Sequence, residues 1–131
     1  MRLLILLLAI TLASCAAPRS PYPPRTHAPC FEYETCVVAV QQAISRNWMR
    51  PSTARNGMQV TVFVELGMDY ELLAQRVTEP SGNKAFDQSA MDAIAAAAPF
   101  DELRGMERVM GFFLFSRTHF KFRPEDLGRQ S

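Results

Sequence analysis

The chain has 131 residues, with 14 basic and 13 acidic side chains, so its formal net charge is +1. A chain of this length favours a single domain, and near neutrality gives no electrostatic basis for binding nucleic acid. The sequence offers no Gly-rich phosphate loop, Ser-His-Asp set or cluster of metal ligands, and its only histidines are His27 and His119. We therefore expect neither an enzyme nor a protein that binds a cofactor or small-molecule substrate.

The first fifteen residues have the pattern of a bacterial lipoprotein signal peptide. Arg2 places a positive charge at the N-terminus, and residues 3–12 are almost wholly apolar. A helix of this length rises about 15 Å, half of a hydrocarbon core, so the stretch is too short to span a bilayer. Leu12-Ala13-Ser14-Cys15 then resembles the lipobox, in which a leucine and two small residues precede the lipidated cysteine.

This resemblance implies that residues 1–14 are removed and that Cys15 carries acyl chains. Loss of Arg2 leaves 13 basic and 13 acidic residues, so the mature chain is formally neutral. Several acyl chains together anchor firmly, whereas one binds only marginally. Inner-membrane lipoproteins usually have Asp where Ala16 stands, so we expect an outer-membrane anchor with the domain facing the periplasm. The alternative is an ordinary secreted protein with a chance cysteine near the cleavage site.

Residues 15–29 are the predicted link between the lipid and the domain. Residues 16–29 include five prolines, which favour an extended, polyproline II-like tether up to about 40 Å long. With Cys15 lipidated, Cys30 and Cys36 remain in an oxidising compartment, where disulfides persist. A disulfide closing so short a loop contributes roughly 2 kcal/mol. Two free thiols are the alternative, and a metal site would lack further ligands.

The predicted domain, residues 30–131, begins with a helix and a strand. Residues 32–48 carry apolar side chains at intervals of three and four, which predicts an amphipathic helix. Pro51 disfavours helix in the residue before it and so ends the pattern. Residues 58–66 alternate apolar and polar side chains, which predicts a half-buried strand.

A second strand and a second helix are predicted next. Residues 70–78 are the expected hairpin partner of the first strand, with Leu73 and Val77 turned inward. A turn separates them from a helix over residues 84–97, whose apolar stripe is followed by a proline. Asn83 is suited to cap the first turn of that helix.

The C-terminal third leaves one region open. Residues 102–115 have helical apolar spacing, but Gly105 and Gly111 each weaken a helix by about 1 kcal/mol relative to Ala, and the end of the region could equally begin a strand. Residues 118–123 alternate again, which predicts a last strand. The predicted fold class is α+β, a three-stranded antiparallel sheet with two or three helices packed on one face.

A set of short motifs extends over residues 37–127. The motifs are Asn47-Trp48, Arg50-Pro51-Ser52, Ala54-Arg55-Asn56-Gly57-Met58, Ser81-Gly82-Asn83-Lys84, Phe86-Asp87, Ser89-Ala90, Ala93 and Phe122-Arg123-Pro124-Glu125-Asp126-Leu127. Each motif alone is weak, but as a set they specifically resemble the C-terminal domain of TolA, within the TonB C-terminal domain family. The resemblance implies the same α+β fold.

Two features depart from the family pattern. The family hairpin usually turns at Asp-Gly, whereas Asp69 is followed here by Tyr70, and tyrosine resists a positive φ, so the turn must differ or carry strain. TolA also has a transmembrane anchor and a long helical stalk before this domain. We expect this chain to carry the partner-binding end without the energy-coupling end.

The resemblance implies a partner-binding module, because domains of this family accept an extended strand from TolB, phage coat proteins or bacteriocins along a sheet edge. The lysine and arginine of the last strand could instead protect an edge that binds nothing. Phe63, outward on the first strand, is either an exposed contact or covered by a loop. The predicted acceptor edge comprises Thr118, His119, Phe120, Lys121, Phe122 and Arg123.

These expectations lead to two functional hypotheses. The first is an accessory to, or competitor of, the Tol–Pal envelope system, related to bacteriocin or phage import or to secretion. The alternative is a structural envelope lipoprotein that keeps the fold without accepting a strand, with self-association by edge pairing as a variant.

Overall fold

The computed structural model describes residues 28–129. The predicted signal peptide, the lipidation site Cys15 and most of the tether lie outside these residues. Within the described range, no helix is both long enough and apolar enough to cross a bilayer.

The described elements, in chain order, are α1 (Tyr33–Asn47), β1 (Val60–Leu66), β2 (Leu72–Glu79), α2 (Lys84–Ala97), a 3-10 helix (Asp101–Gly105), α3 (Arg108–Phe115), β3 (Arg117–Phe122) and a second 3-10 helix (Pro124–Arg129). The three strands form one antiparallel sheet in the order β2-β1-β3. The predicted α+β class is therefore confirmed, and the open region 102–115 is helical rather than a strand.

β1 lies at the centre of the sheet and of the core. Val60, Val62 and Val64 are fully buried, whereas Phe63 and Glu65 on the opposite face are half-buried, so the predicted alternation is confirmed from Val62 onward; Thr61, also predicted to face outward, is buried. Burying an aliphatic side chain of this size contributes about 1.5–3 kcal/mol. The helical side chains buried in the same core are Cys36, Val40, Ala43 and Ile44 of α1 and Phe86, Ala90, Ala93, Ile94 and Ala97 of α2.

Local sequence sets the ends of α2 where they were predicted. The Asn83 side chain accepts a hydrogen bond from the backbone N–H of Phe86 at 3.1 Å, which satisfies a donor that the first turn leaves open. Gly82 precedes this cap with a φ of +88°, a conformation that glycine adopts without strain. The helix ends at Ala97, shortly before Pro99.

The inward orientation predicted for Leu73 is wrong. Leu73 is 61% exposed, whereas Val77 packs partly buried against the core, as predicted. Glu65 pairs with Ala74 and the next residue of β1 pairs with Leu72, so Leu73 is skipped as a β-bulge. An extra residue in one strand resets the alternation of faces, and Leu72 packs against the core instead.

The hairpin turn carries the strain that its sequence predicted. Tyr70 has a φ of +59°, and among the described residues it is the sole non-glycine with a positive φ. Its ring is buried, and its carbonyl accepts a hydrogen bond from the Phe100 N–H at 3.1 Å. Its buried hydroxyl has no hydrogen-bond partner among the described residues, and burial raises the pKa of this hydroxyl. Packing of the ring therefore holds a backbone conformation that tyrosine alone disfavours.

α3 begins at a side-chain cap and passes close to this tyrosine. The Glu107 carboxylate accepts hydrogen bonds from the N–H groups of Met110 at 2.8 Å and Val109 at 3.2 Å, which lower the pKa of Glu107. Gly111 lies against the Tyr70 hydroxyl, and a Cβ there would overlap that oxygen. The glycine thus weakens the helix intrinsically but permits the close approach.

A disulfide joins Cys30 to Cys36 across the start of α1, as predicted, with a Cα–Cα distance of 5.1 Å. The Cys30 N–H donates to the carbonyl of Glu102 at 2.9 Å. The Tyr33 ring packs against Phe115 with centroids 5.6 Å apart. These contacts fix the N-terminal end of the domain against the first 3-10 helix and α3.

Candidate functional site

β3 is an edge strand with an uninterrupted ladder. It pairs with β1 over six consecutive residue pairs, from Phe122 opposite Val60 to Arg117 opposite Glu65, without a register shift. Its other side pairs with no strand in the described part of the chain. Alternate N–H and C=O groups on that side therefore point away from the sheet, where an added strand can use them.

β2, the other edge strand, is less suited to accept a partner. The β1–β2 register skips Leu73 and Thr78, so β2 contains two irregularities within eight residues. Bulges bend an edge and interrupt its hydrogen-bonding pattern, which discourages pairing with another strand. The contrast favours β3 as the acceptor.

A groove of about 350 Å³ lies between β3 and α1. Its apolar floor consists of the buried side chains of Ile44, Trp48 and Phe122, with the half-buried Phe120 beside them. This floor can bury apolar side chains, although polar residues form most of the lining. The polar lining residues are Gln41, Ser45, His119, Lys121, Arg123 and Asp126.

Trp48 connects the floor of the groove to the core. It directly follows α1, and its ring meets Phe86 and Phe122 edge-on, with centroid distances of 5.7 and 5.2 Å. Its indole N–H donates to the Ser89 hydroxyl at 2.9 Å. The ring therefore packs against two aromatic neighbours and is hydrogen-bonded at its polar atom, which fixes its position in the floor of the groove.

The rim of the groove is polar and carries cations. Lys121 is exposed on β3, and Arg123 follows the strand, with its guanidinium 3.7 Å from the Asp126 carboxylate. This ion pair is exposed, so it contributes little to stability. Rim charges of this kind steer and select a partner more than they add affinity.

Phe63 lies on the sheet face opposite the helices, between its two cross-strand neighbours. The Arg76 guanidinium is 4.9 Å from its ring centroid, and the His119 ring centroid is 5.1 Å away. Both residues are its partners in the strand register. Phe63 is therefore neither an open contact nor covered by a loop, and it links all three strands through cross-strand contacts.

The predicted acceptor residues are together in the structure. Thr118, His119, Phe120, Lys121 and Phe122 all belong to β3, which begins one residue earlier at Arg117, and Arg123 directly follows the strand. The α1 side of the groove was not predicted. In the sequence, the signal for this side is a set of four residues at helical spacing, whose apolar members belong to the apolar stripe predicted over residues 32–48. The four are Gln41, Ile44, Ser45 and Trp48.

Within residues 28–129, no group of three or more His, Cys, Asp or Glu side chains is arranged to hold a metal ion. The chemistry that the groove offers is hydrogen bonding along a strand edge and burial of apolar side chains.

An open edge strand beside an α1 groove, on a three-stranded sheet, defines a recognisable class of protein. The family described as TonB C terminal matches residues 36–116, which is more than half of the chain. The chain therefore belongs to the TonB C-terminal family, and the predicted resemblance is confirmed.

Within this class, the chain is similar to the Tol-Pal system protein TolA of Pseudomonas aeruginosa. The two are 36% identical over 84 residues, which is 64% of this chain and 24% of TolA. The chain thus spans about a quarter of the length of that relative. It is also similar to the solution NMR structure of TolAIII bound to a peptide derived from the N-terminus of TolB, with a TM-score of 0.64 and 28% identity, covering 79% of this chain and 83% of that one.

Proposed function

We propose that this chain is a non-catalytic, protein-binding lipoprotein that accepts an extended segment of a periplasmic partner alongside β3. The observation that carries this proposal is the unbroken outer edge of β3 next to a groove with an apolar floor and a polar rim. A strand added there would pair its backbone with β3 while alternate side chains enter the groove against Ile44 and Trp48. The backbone bonds would supply affinity and the groove would supply specificity.

The partner that we propose is a TolB-like N-terminal segment. TolAIII, which shares this fold, binds a peptide from the N-terminus of TolB. A bacteriocin or phage coat domain would be recognised by the same chemistry. The chain would then act as an accessory to the Tol–Pal system or as a competitor of TolA for its partners.

The proposed location is the periplasmic side of the outer membrane. The Leu12–Cys15 lipobox pattern supports lipidation of Cys15, and Ala16 supports outer-membrane sorting. The competing proposal is a structural lipoprotein whose β3 edge accepts nothing, or pairs only with a second copy. Lys121 at the edge favours that alternative, because exposed lysines commonly protect strand edges.

The experiment is an NMR titration of ¹⁵N-labelled residues 24–131, with the disulfide formed, against the N-terminal segment of the host's TolB. We expect amide shifts in residues 117–123 and on the groove side of α1, with a Kd of about 1 μM or below. Shifts that are absent at millimolar peptide would leave the structural lipoprotein as the remaining hypothesis. Shifts that depend on protein concentration without peptide would indicate edge pairing between copies.

Two matched variants locate the binding site. Gln41 and Gln42 are adjacent, exposed residues of α1, but only Gln41 lines the groove. Gln41→Trp should fill the groove and weaken peptide binding about tenfold or more, whereas Gln42→Trp should leave the affinity unchanged. Equal effects of the two substitutions would contradict the proposed position of the strand.

A further inference from the structure

α3 is apolar around most of its circumference, yet only one side of it is buried. Gly111 and Phe115 face the core. On the outer side, Val109, Met110 and Phe113 are 68%, 53% and 78% exposed, and Leu114 is 36% exposed. These four residues are here called the α3 face. A surface helix normally turns polar side chains to water, so a face of this composition indicates that something covers it.

The α3 face belongs to the end of the domain where the predicted tether arrives. The disulfide residue Cys30 is hydrogen-bonded to Glu102 in the 3-10 helix before α3, and the Tyr33 ring packs on Phe115 of α3 itself. Phe31 adds another aromatic ring at this end, 71% exposed. The point from which the chain runs back towards Cys15 is therefore close to α3.

We propose that the α3 face docks on the lipid bilayer in which the Cys15 lipid is inserted. This inference rests on the proposed lipid anchor and is independent of strand binding. Residues 16–29 can hold the domain at most about 40 Å from the membrane, so the domain meets the bilayer at a high effective concentration. Apolar side chains on one helix face then enter the boundary between headgroups and acyl chains.

A bilayer fits the α3 face better than a second copy of the chain does. A stable protein interface buries about 800 Å² on each partner, which is more than four side chains of an eight-residue helix supply. A bilayer, in contrast, requires no complementary shape. α3 also contains no carboxylate, and its neighbour Glu107 has its carboxylate bound to the first turn of the helix.

None of the residues that line the groove belongs to the α3 face. Membrane docking and strand binding therefore use different residues of the domain.

The test uses the acylated full-length protein in phosphatidylethanolamine–phosphatidylglycerol vesicles that contain nitroxide-labelled lipids. A fluorophore is attached at Val109→Cys in the α3 face and, as the matched control, at Lys84→Cys at the exposed start of α2. We expect lipid nitroxides to quench the fluorophore at position 109 several-fold more than the one at position 84. Adding Phe113→Asp should lower the ratio of docked to undocked protein roughly tenfold or more, because the apolar contact of one aromatic ring is lost.

Equal quenching at the two positions would overturn the inference. A second copy of the chain would be the occupant if the fluorophore at position 109 is buried without lipid quenching and its burial depends on protein concentration. That result would also overturn the inference.

If mass spectrometry finds no acyl chain, the proposed anchor fails. The same probes are then read with the protein captured by an N-terminal histidine tag on nickel-chelating lipid, where equal quenching again overturns docking. Strand binding is measured separately by the peptide titration.

Discussion

Replacing Gly111 with alanine sets two opposing effects against each other in α3. Alanine favours the helix by about 1 kcal/mol relative to glycine. Its Cβ would, however, overlap the hydroxyl of Tyr70, and forcing an extra methyl group into a packed site typically costs about 1–3 kcal/mol. We therefore expect Gly111→Ala to lower the free energy of unfolding by between about 0 and 2 kcal/mol.

The Tyr70→Phe background should reverse the sign of this effect. Without the hydroxyl, the nearest atoms to the new Cβ are the Cβ of Met106 and the Cζ of residue 70, both at 3.3 Å, which small adjustments accommodate. The substitution should then raise the free energy of unfolding by up to about 1 kcal/mol. Tyr70→Phe alone should be neutral or mildly stabilising, because the buried hydroxyl it removes has no hydrogen-bond partner among the described residues.

The assay is a double-mutant cycle in urea, with the disulfide intact and the same denaturant slope required of all four proteins. We expect a coupling free energy of about 1–3 kcal/mol between positions 70 and 111. If Gly111→Ala changed stability equally in both backgrounds, the hydroxyl would not be the group that requires glycine, and the reasoning would be refuted.

The caps of α2 and α3 give two further predictions. Asn83→Ala should lower the free energy of unfolding by about 1 kcal/mol in urea, because it removes the acceptor for the Phe86 N–H, while the exposed control Gln42→Ala should change little; equal losses would contradict the cap. The pKa of Glu107 is lowered in the folded state, so its contribution to stability is present above its unfolded value of 4.5 and is lost as the pH falls through the folded value. The difference in Tm between the native protein and Glu107→Gln should therefore shrink on acidification, and a constant difference from neutral to acidic pH would contradict it.

Most of the fold could be predicted because the periodicity, capping residues and turn residues of the sequence agree with the tertiary structure. The alternation of residues 58–66 identified β1, and Asn83 with the following apolar stripe identified α2 within its observed bounds. Tyr70 was recognised as a strained position because its residue type conflicts with the turn that the hairpin requires. In each case a single local requirement (burial of one face, a helix cap or the backbone conformation of a turn) determines the structure of a short segment.

The wrong orientation of Leu73 and the open assignment of residues 102–115 arose where the periodicity of the sequence carries no information. A bulge at Leu73 resets the alternation of β2, and an irregularity in the register leaves no mark on the residue types. α3 is apolar on nearly all sides, so neither a period of 2 nor one of 3.6 stands out in its sequence. The alternation of residues 118–123 predicted the strand β3, and the resemblance to the TolA family indicated its edge as the acceptor. The α1 side of the groove was not predicted, because it depends on how two segments distant in sequence pack.

The disulfide also determines how the domain would respond to mechanical force. A pull on the N-terminal end of the described chain reaches Cys30 first and passes through the covalent bond to Cys36, the fourth residue of α1. The three residues of α1 before Cys36 therefore carry no load, and the helix is not unwound from its first residue one hydrogen bond at a time. The force arrives instead at a residue with no exposed surface, inside the core, where extension requires many contacts to break together. If the chain is lipid-anchored and binds a partner as proposed, this arrangement would resist peeling of α1 when the membrane and the partner move apart.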